Sequence, residues 1–396
     1  MQLSNVTGAP VIGDDFYDRE REQRHLWRRL ETDSVLLLAP RRVGKTSLLL
    51  RLVATSEQHG FEAVYTSVSY HQTELELCEA LITALARHPV GHALIAKLAK
   101  KSMLSRFFER FEEVDLKLAS FKLSHRDDAS WNDIAAALAG ALATHTNRWL
   151  IVVDELPIFV NRLVAVDPRR ASTFLTWFRQ LRLDLGGEGL VRWVLAGSIG
   201  LDTVAKRYGL GETINDLAVM GLGAFEVDAA DAFLETLGRS YAFDLTPELR
   251  ADVIRRVGWP VPYFLQIFFA DLYAWCDDHG VPPTPAALDA VYQRLLAPEH
   301  KAYFDPWVQR LPKTFGAADA ALARQLLTIV ANDPAGAPRA VLRTAFADRA
   351  PDAEDGRFTF LLDALQSDGY VVEADRGAYY FRSPLLREYW RRRVVD

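Results

Sequence analysis

Short, fully apolar runs recur along the first half of the chain, and charged or amphipathic segments separate them. Apolar runs of this length without alternation are typical of strands buried on both faces of a parallel sheet. Five such runs predict strands, at residues 34–39, 62–69, 148–156, 191–198 and 217–227. The segments between them predict helices, at 18–31, 46–60, 74–88 and 172–187, and an irregular helical insert at about 89–147. Strands that alternate with helices predict an α/β fold, with a doubly wound parallel five-stranded sheet.

The strand pattern stops at about residue 226, and helical periodicity continues. Breaks at Gly or Pro divide it into four predicted helices, at 228–243, 246–258, 261–280 and 284–297. Three more are predicted further on, at 317–332, 338–348 and 356–369. The alternating segment "YVVEADRGAYYF" then turns at Asp-Arg-Gly and predicts a hairpin. Three helices and a hairpin form a winged-helix pattern, so we predict three domains, at 1–226, 227–311 and 312–396.

Composition narrows the class of protein only slightly. The chain of 396 residues is 49% hydrophobic and 25% charged, as in ordinary globular proteins. Its net charge of −6 means that any contact with nucleic acid would have to come from a local basic patch. Cys78 and Cys276 fit neither a disulfide framework nor a metal site. The N-terminus has no apolar signal core, and we expect a cytoplasmic protein with no membrane partner.

The segment "VLLLAPRRVGKTSLLLRL" matches a phosphate-binding loop between a predicted strand and a predicted helix. Its residues are Ala39, Pro40, Arg41, Arg42, Val43, Gly44, Lys45, Thr46 and Ser47. In such a loop the backbone N–H groups cradle phosphates, Lys45 reaches the β- and γ-phosphates, and the Thr46 hydroxyl binds Mg²⁺. Ala39 replaces the usual first glycine, at a cost of about 1 kcal/mol if its backbone is left-handed. The pattern therefore predicts a nucleotide site that is weakened but intact.

Two carboxylates end the third predicted strand, in "LIVVDE". In a phosphate-loop protein Asp154 would hold Mg²⁺, and Glu155 would orient and deprotonate an attacking water. The competing interpretation is a helix N-cap pair. The fourth predicted strand ends in "AGS", so Ser198 can reach toward the γ-phosphate or the attacking water, although Gly-Ser after a strand is often only a turn.

Together these motifs resemble a known family. In chain order, "FYDREREQRHLWRRL", "LLLAPRRVGKTSLL", "LIVVDEL", "VLAGSIGL" and "GWPVPYFLQ" are similar to the archaeal-type ATPases of the STAND branch of the AAA+ superfamily. The resemblance covers most of the chain, and the phosphate loop is its most specific part. It implies an ATP-binding switch with a helical lid at 227–311 and a C-terminal winged helix.

The resemblance also assigns residue roles by position. Lys45, Thr46, Asp154, Glu155 and Ser198 take the loop, metal, base and sensor roles. The lid segment "GWPVP" would pack beside the adenine, and the segment "VIGDDFYDRE" would border it. These two matches add four base-side residues, Ile12, Phe16, Pro260 and Pro262. Because Ala39 departs from the family's loop, turnover is expected to be slow.

Several arginines allow two interpretations each. Arg41 and Arg42 can face phosphates or a neighbouring subunit, or pair with surface acids. Arg207 is the best-placed candidate for an arginine finger in an assembling ATPase, against a solvated helix charge. The basic piece 97–110 and the arginine-rich tail "REYWRRRVVD" can bind a partner, or can be solvated faces. The third helix of the winged-helix pattern carries four acids and one arginine, the wrong sign for entering a DNA groove.

Two functions follow from these residues. The first is a Mg²⁺-dependent ATPase whose hydrolysis resets a switch and controls binding of a protein partner or assembly of copies of the chain. The second is a nucleotide-loaded scaffold or DNA-associated regulator with negligible turnover, in which non-specific DNA binding would come from a basic patch. Glu155 favours the first and Ala39 favours the second.

Overall fold

The computed structural model describes residues 2–101, 130–143, 146–187, 189–197, 201–374 and 377–394. Five parallel strands form its central sheet, in the order β2-β3-β4-β1-β5. They are β1 (Ser34–Leu38), β2 (Glu62–Ser67), β3 (Trp149–Asp154), β4 (Val191–Gly197) and β5 (Leu217–Gly221). The predicted doubly wound α/β fold is therefore confirmed, and each predicted strand is present with slightly shorter bounds.

Helices cover both faces of this sheet. They are α1 (Glu20–Leu30), α2 (Lys45–Thr55), α3 (Glu74–Ala86), α4 (Pro89–Lys101), α5 (Trp131–Ala143), α6 (Leu156–Val166), α7 (Pro168–Gly186) and α8 (Leu201–Arg207). Alternate strand residues enter different cores: Leu37 packs with α1 and α2, whereas Leu36 packs with α3 to α7. The prediction missed α6 (Leu156–Val166), whose first residue was included in the predicted third strand.

Four helices follow the sheet domain, as predicted from the Gly and Pro breaks. They are α9 (Val227–Ser240), α10 (Pro247–Val257), α11 (Pro262–His279) and α12 (Pro285–Leu295). Three of them begin with Pro in the first turn, where the missing N–H costs no hydrogen bond. Their apolar faces join the core that also contains α1 and α2.

The C-terminal region contains four helices and a small antiparallel sheet. The helices are α13 (Asp305–Asn332), α14 (Arg339–Arg349), α15 (Asp355–Ser367) and α16 (Pro384–Arg393). The strands are β6 (Ala337–Pro338), β7 (Val371–Ala374) and β8 (Ala378–Phe381), in the order β6-β8-β7. The predicted three helices and hairpin are thus present, and β7 and β8 form that hairpin.

Helix α13 crosses the predicted boundary at residues 311 and 312. Its backbone leaves the helical region at Gly316, where φ is 76° and ψ is 170°. The chain therefore changes direction four residues later than the sequence suggested. The three-domain division itself stays a prediction.

The third helix of the winged-helix pattern, α15, packs against α8 of the sheet domain. Its arginine, Arg357, donates a hydrogen bond of 2.6 Å to the carboxylate of Asp319, which is buried. Burial raises the pKa of Asp363 on the same helix. This helix therefore makes contacts within the molecule, to α8 and to Asp319.

Most of the predicted basic piece, residues 97–110, falls outside the described residues. Lys97 and Lys100 lie on α4 and are exposed, whereas residues 102–110 are not described. Among the described helices, none is both long enough and apolar enough to cross a membrane.

Candidate functional site: a phosphate-loop cavity closed by the C-terminal region

The loop 39–44 runs from the end of β1 into α2, as the sequence predicted. Gly44 precedes α2 and has a φ of 92°, a value that glycine adopts without steric cost. Ala39 is buried, and its backbone lies outside the left-handed region. Arg42 has a positive φ of 66° instead. The penalty considered for Ala39 therefore does not arise, and the backbone strain of this loop lies at Arg42.

Lys45 and Thr46 meet the carboxylate of Asp154 at the carboxyl edge of the sheet. The Lys45 ammonium donates to Asp154 Oδ1 and lies 3.2 Å from Glu155 Oε1. The Thr46 hydroxyl lies 3.0 Å from Asp154 Oδ2, and the Tyr65 hydroxyl donates to the same oxygen at 3.2 Å. Lys45 and Asp154 are both more than 90% buried, so this charge pair is shielded from water.

Tyr65 was not identified from the sequence. It lies in the middle of β2, where aromatic residues are common, and nothing in its neighbourhood pointed to Asp154. Burial and the nearby carboxylate of Asp154 raise the pKa of Tyr65. Its hydroxyl therefore stays protonated and acts as a donor to the carboxylate at neutral pH.

Glu155 sits at the junction of β3 and α6 with left-handed backbone angles, φ 61° and ψ 29°. Its side chain makes no capping hydrogen bond to α6, which argues against the competing N-cap interpretation. Instead, the backbone N–H of Glu155 donates to Asp154 Oδ1 at 2.8 Å. A non-glycine residue in this conformation costs energy, and such residues concentrate at functional sites. The side chain is about 20% exposed and lines the cavity beside the loop.

The oxygen groups of Thr46 and Asp154 suit Mg²⁺. This ion prefers hard oxygen ligands and commonly binds through one carboxylate, a hydroxyl and the phosphates of a nucleotide. The hydroxyl and the carboxylate already lie within 3.0 Å of each other at the mouth of the loop. These residues therefore fit the ion predicted from the sequence.

The cavity extends from the loop toward the N-terminal segment and the lid helices. It is lined by Gly8, Ala9, Pro10, Val11, Asp15, Phe16, Tyr17, Arg19, residues 40–47, Glu155, Phe225, Phe233, Pro262, Tyr263, Gln266 and Arg310. Two of the four predicted base-side residues, Phe16 and Pro262, are among them. Ile12 is 68% exposed, and neither Ile12 nor Pro260 lines the cavity. Both positions lie one or two residues from a residue that lines the cavity. The motifs therefore identified the correct segments but not the individual side chains.

Arg42 and Ser47 tie the loop to the segments that border the base side. The Arg42 guanidinium lies 4.2 Å from the centre of the Tyr263 ring and donates to the Gly8 carbonyl at 3.2 Å. The Ser47 hydroxyl accepts the Val11 N–H at 3.0 Å. Arg42 therefore makes intramolecular contacts to a ring and a carbonyl, and no described carboxylate forms an ion pair with it.

Arg41 points the opposite way, into the C-terminal region. Its guanidinium donates to the Pro306 carbonyl at 2.8 Å and lies 5.8 Å from the Trp307 ring centre. Its backbone N–H donates to the Asp368 carbonyl at 3.4 Å. Burial, together with the nearby charge of Arg310, lowers the pKa of Arg41 to about 10. The Arg41 side chain thus contacts the first helix of the C-terminal region, and its backbone contacts Asp368, directly after the third helix.

Arg310 completes this contact and lines the cavity. Its Nε donates to Asp368 Oδ2 at 3.0 Å, and the Asp368 side chain is about 1% exposed. Burial opposes its charge, but Asp368 and Glu155 outweigh that effect and raise the pKa of Arg310. Arg310 was not identified from the sequence, because it lies in "PWVQRLPKTF", far from every motif.

A close approach between three segments fixes the same interface. Gly369 has a φ of 89°, and a Cβ atom there would lie 2.5 Å from the Trp259 ring and 3.0 Å from the Pro40 side chain. Trp259 belongs to the "GWPVP" lid segment, and Pro40 belongs to the phosphate loop. Lid, loop and C-terminal region therefore meet at one point where no side chain larger than hydrogen fits.

Two predicted site residues cannot be placed. Ser198 lies outside the described residues. Arg207 ends α8, which begins near the end of β4, and its side chain is outside the described part of the chain. Their sensor and arginine-finger roles stay predictions.

Comparison with known proteins supports the fold. No protein-family model matches the chain, and no curated protein matches it. Among solved structures, the Walker-type ATPase PABY2304 of Pyrococcus abyssi superposes with a TM-score of 0.60 at 19% identity, over 96% of this chain and 97% of that one. The ORC2 protein of Aeropyrum pernix, in its ADPNP–ADP complexes, gives 0.50 at 13% identity, over 96% and 93%. The likeness spans nearly the whole chain and shows an α/β phosphate-loop fold with a helical C-terminal part.

Proposed function

We propose that this protein is a Mg²⁺-dependent ATPase of the AAA+ superfamily, STAND branch, that works as a molecular switch. The observation that carries the proposal is one cavity in which Lys45, Thr46 and Glu155 face Arg310 of the C-terminal region. The first three residues match a site for binding and hydrolysing a nucleoside triphosphate. Arg310 links the occupancy of that site to another part of the molecule.

Each loop residue has a defined task in nucleotide binding. The backbone N–H groups of residues 42–45 and the positive end of α2 bind the phosphates. Lys45 exchanges its contact with Asp154 for the β- and γ-phosphate oxygens, which carry more negative charge. Thr46 and Asp154 hold Mg²⁺, which supplies charge neutralisation of the phosphates when bound.

Glu155 accepts the proton of the attacking water. In the structure Lys45 lies 3.2 Å from its carboxylate. Movement of the lysine toward the phosphates removes that positive neighbour and makes Glu155 a better proton acceptor. Arg310 lines the same cavity from the opposite wall and can add a positive charge where the γ-phosphate would sit.

The switch acts through the contact of Arg41, Arg310 and Asp368. If Arg310 turns toward a γ-phosphate, its hydrogen bond with Asp368 breaks, and the hold on the C-terminal region weakens. ATP would then favour an arrangement that exposes a binding surface, and hydrolysis would restore the closed one. On this proposal the C-terminal region is a winged helix that reports nucleotide state to a protein partner or to another copy of the chain, in the cytoplasm.

Binding is tested with a fluorescent ATP analogue. Lys45→Ala should weaken its affinity about 100-fold or more, because charge-assisted hydrogen bonds contribute about 1.5–3 kcal/mol each. Lys97→Ala, which removes an exposed lysine on α4, should leave affinity unchanged. A folded Lys45→Ala protein with wild-type affinity would rule out this site.

Hydrolysis is tested with Glu155→Gln. Gln keeps the shape and tolerates the same backbone but cannot accept a proton, so turnover should fall about 10²–10⁴-fold while binding is retained. Glu57→Gln, at an exposed position after α2, is the matched control. If the wild-type protein binds ATP but shows no turnover with any nucleotide or partner, the scaffold function is the correct one.

A further inference from the structure

Helix α1 presents a row of arginines to solvent. Its apolar residues are buried against the sheet, whereas Arg21, Arg24, Arg28 and Arg29 are exposed. Residues three, four and seven apart lie on one side of a helix, so Arg21, Arg24 and Arg28 form a line. With a rise of 1.5 Å per residue, this line is about 10 Å long. We call these four residues the α1 arginine face.

Carboxylates do not neutralise this face. Within the described part of the chain, none of its four arginines forms an ion pair or a side-chain hydrogen bond. The neighbouring acids are engaged elsewhere: Glu22 pairs with Arg19 at 3.0 Å, and Glu31 lies 3.5 Å from Arg148. Glu20, at the first turn, is exposed and makes no ion pair.

Several exposed arginines on other helices have acidic partners within the chain. Arg239 pairs with Glu235 at 2.6 Å, and Arg255 pairs with Asp252, each within one helical turn. The tail of α16 is also engaged within the chain. Arg387 donates to the Ala331 carbonyl and Arg393 to the Leu296 carbonyl, whereas Arg391 and Arg392 pair with Glu388. The arginine-rich tail, for which partner binding was one of two interpretations, is therefore largely engaged within the chain.

The α1 arginine face also has a cost that local structure does not offset. Like charges three or four residues apart destabilise a helix by a few tenths of a kcal/mol per pair. The helix dipole favours Arg28 and Arg29 near the C-terminus but opposes Arg21 in the first turn. Neither packing nor capping explains the positions of Arg21 and Arg24.

We propose that the α1 arginine face binds the phosphate backbone of double-stranded nucleic acid without reading its sequence. Guanidinium groups match phosphate oxygens in geometry and charge. Interfaces with duplexes are strongly positive and polar, and their affinity comes largely from release of counterions. This surface is a local positive field on a chain whose net charge is −6, as non-specific backbone binding requires.

The chemistry of α1 disfavours the other anionic partners. A protein interface is anchored by buried aromatic or aliphatic side chains, and none of the large exposed hydrophobic residues of the described chain lies on α1. A membrane-surface helix inserts its apolar side, but Leu26, Trp27 and Leu30 are buried in the core.

The face is joined directly to the phosphate loop. Arg19, which precedes α1, donates to the Val43 carbonyl at 3.1 Å and to the Gly223 carbonyl at 2.8 Å. A duplex bound on α1 would therefore lie on an element that is hydrogen bonded to the nucleotide site. The proposal does not depend on nucleotide hydrolysis.

The test is a fluorescence-polarisation titration of a labelled random-sequence duplex at two salt concentrations, about 50 and 200 mM. The full-length wild-type protein is compared with the triple variant R21Q/R24Q/R28Q. A second triple variant, R239Q/R255Q/R391Q, removes the same charge from exposed arginines that have acidic partners. Circular dichroism and thermal unfolding establish that all three proteins are folded.

We expect wild type and the second variant to bind at the lower salt and to lose affinity steeply at the higher. R21Q/R24Q/R28Q should bind at least tenfold more weakly at the lower salt. Its slope of log affinity against log salt should be shallower by about 2.7, since each phosphate contact contributes about 0.9. Equal weakening of the two variants would overturn the proposal, as would failure of wild type to bind the duplex. Binding to anionic vesicles in place of the duplex would also overturn it.

Discussion

The two walls of the nucleotide cavity are built in different ways. The phosphate wall comes from one loop and one strand end, where Lys45 and Thr46 meet Asp154. The opposite wall brings Arg41 of the loop together with Arg310 and Asp368, which lie more than 250 residues further along the chain. The first wall has the chemistry to recognise a nucleotide, and the second has the contacts to respond to it. On the proposed function, binding therefore depends on a local motif and signalling depends on a tertiary contact that can be broken.

The largest expected effect is a loss of stability from a change in the wall that contains Arg41, Arg310 and Asp368. Asp368→Asn keeps the size of the side chain but leaves Arg41 and Arg310 without their buried counter-charge. Removing one partner from a buried ion pair costs about 3–5 kcal/mol, so the midpoint of thermal unfolding should fall by several degrees. Asp352→Asn, at an exposed position, should have no measurable effect. Unchanged stability of Asp368→Asn would mean that this contact does not hold the C-terminal region.

The next largest effect is expected on the preference for ATP over ADP, to which Arg310 would contribute. Arg310→Gln removes the positive charge that would face a γ-phosphate, so affinity for ATP should fall about tenfold more than affinity for ADP. Both affinities are measured by isothermal titration calorimetry. Arg294→Gln, which removes an arginine from the lid without touching the cavity, serves as the control. An equal loss of affinity for ATP and ADP would mean that Arg310 contributes to packing and does not recognise the γ-phosphate.

The phosphate wall could be predicted from the sequence because short local patterns encode it. The strand–loop–helix pattern identified Lys45 and Thr46, and the end of an apolar run identified Asp154 and Glu155. The five strands were predictable because each is a short apolar run between polar segments. Helix α6 was missed because it begins two residues after β3 ends, with no loop between them.

Tertiary contacts set the limit of prediction. Tyr65 and Arg310 have no local signature, since their roles arise from the pairing of β2 with β3 and from the packing of α13 on the loop. The four base-side residues were chosen from two motifs, and the cavity includes Phe16 and Pro262 but not Ile12 and Pro260. The φ angle of Ala39 could not be predicted either, because the identity of a single residue does not determine its backbone conformation.

A smaller effect is expected on the phosphate wall from Tyr65→Phe. Phe keeps the ring in β2 but removes the hydroxyl that donates to Asp154 at 3.2 Å. Residues that orient a metal ligand typically contribute about tenfold or more to metal affinity, so the Mg²⁺ concentration needed for half-maximal ATP binding should rise about tenfold. Binding measured without Mg²⁺ should be unchanged, which separates positioning of the ligand from a general structural role. A loss of equal size in both conditions would contradict this role.

The smallest effect concerns the missing glycine. Ala39→Gly restores the usual loop pattern, but Ala39 has no left-handed strain to relieve. We expect ATP affinity to change less than twofold and stability to fall by about 0.5–1 kcal/mol, because glycine gains freedom in the unfolded chain. Denaturant unfolding and the fluorescent-analogue titration measure both quantities. A large gain in affinity would show that Ala39 does impair the loop.

The central claim is that occupancy of the loop changes the contact with the C-terminal region. Hydrogen exchange of residues 303–311 and 364–370, with and without Mg²⁺ and ATP, tests it most directly. We predict faster exchange in both segments of the wild-type protein when ATP is bound, and no change in Lys45→Ala. Identical exchange with and without ATP in a wild-type protein that demonstrably binds ATP would contradict the account.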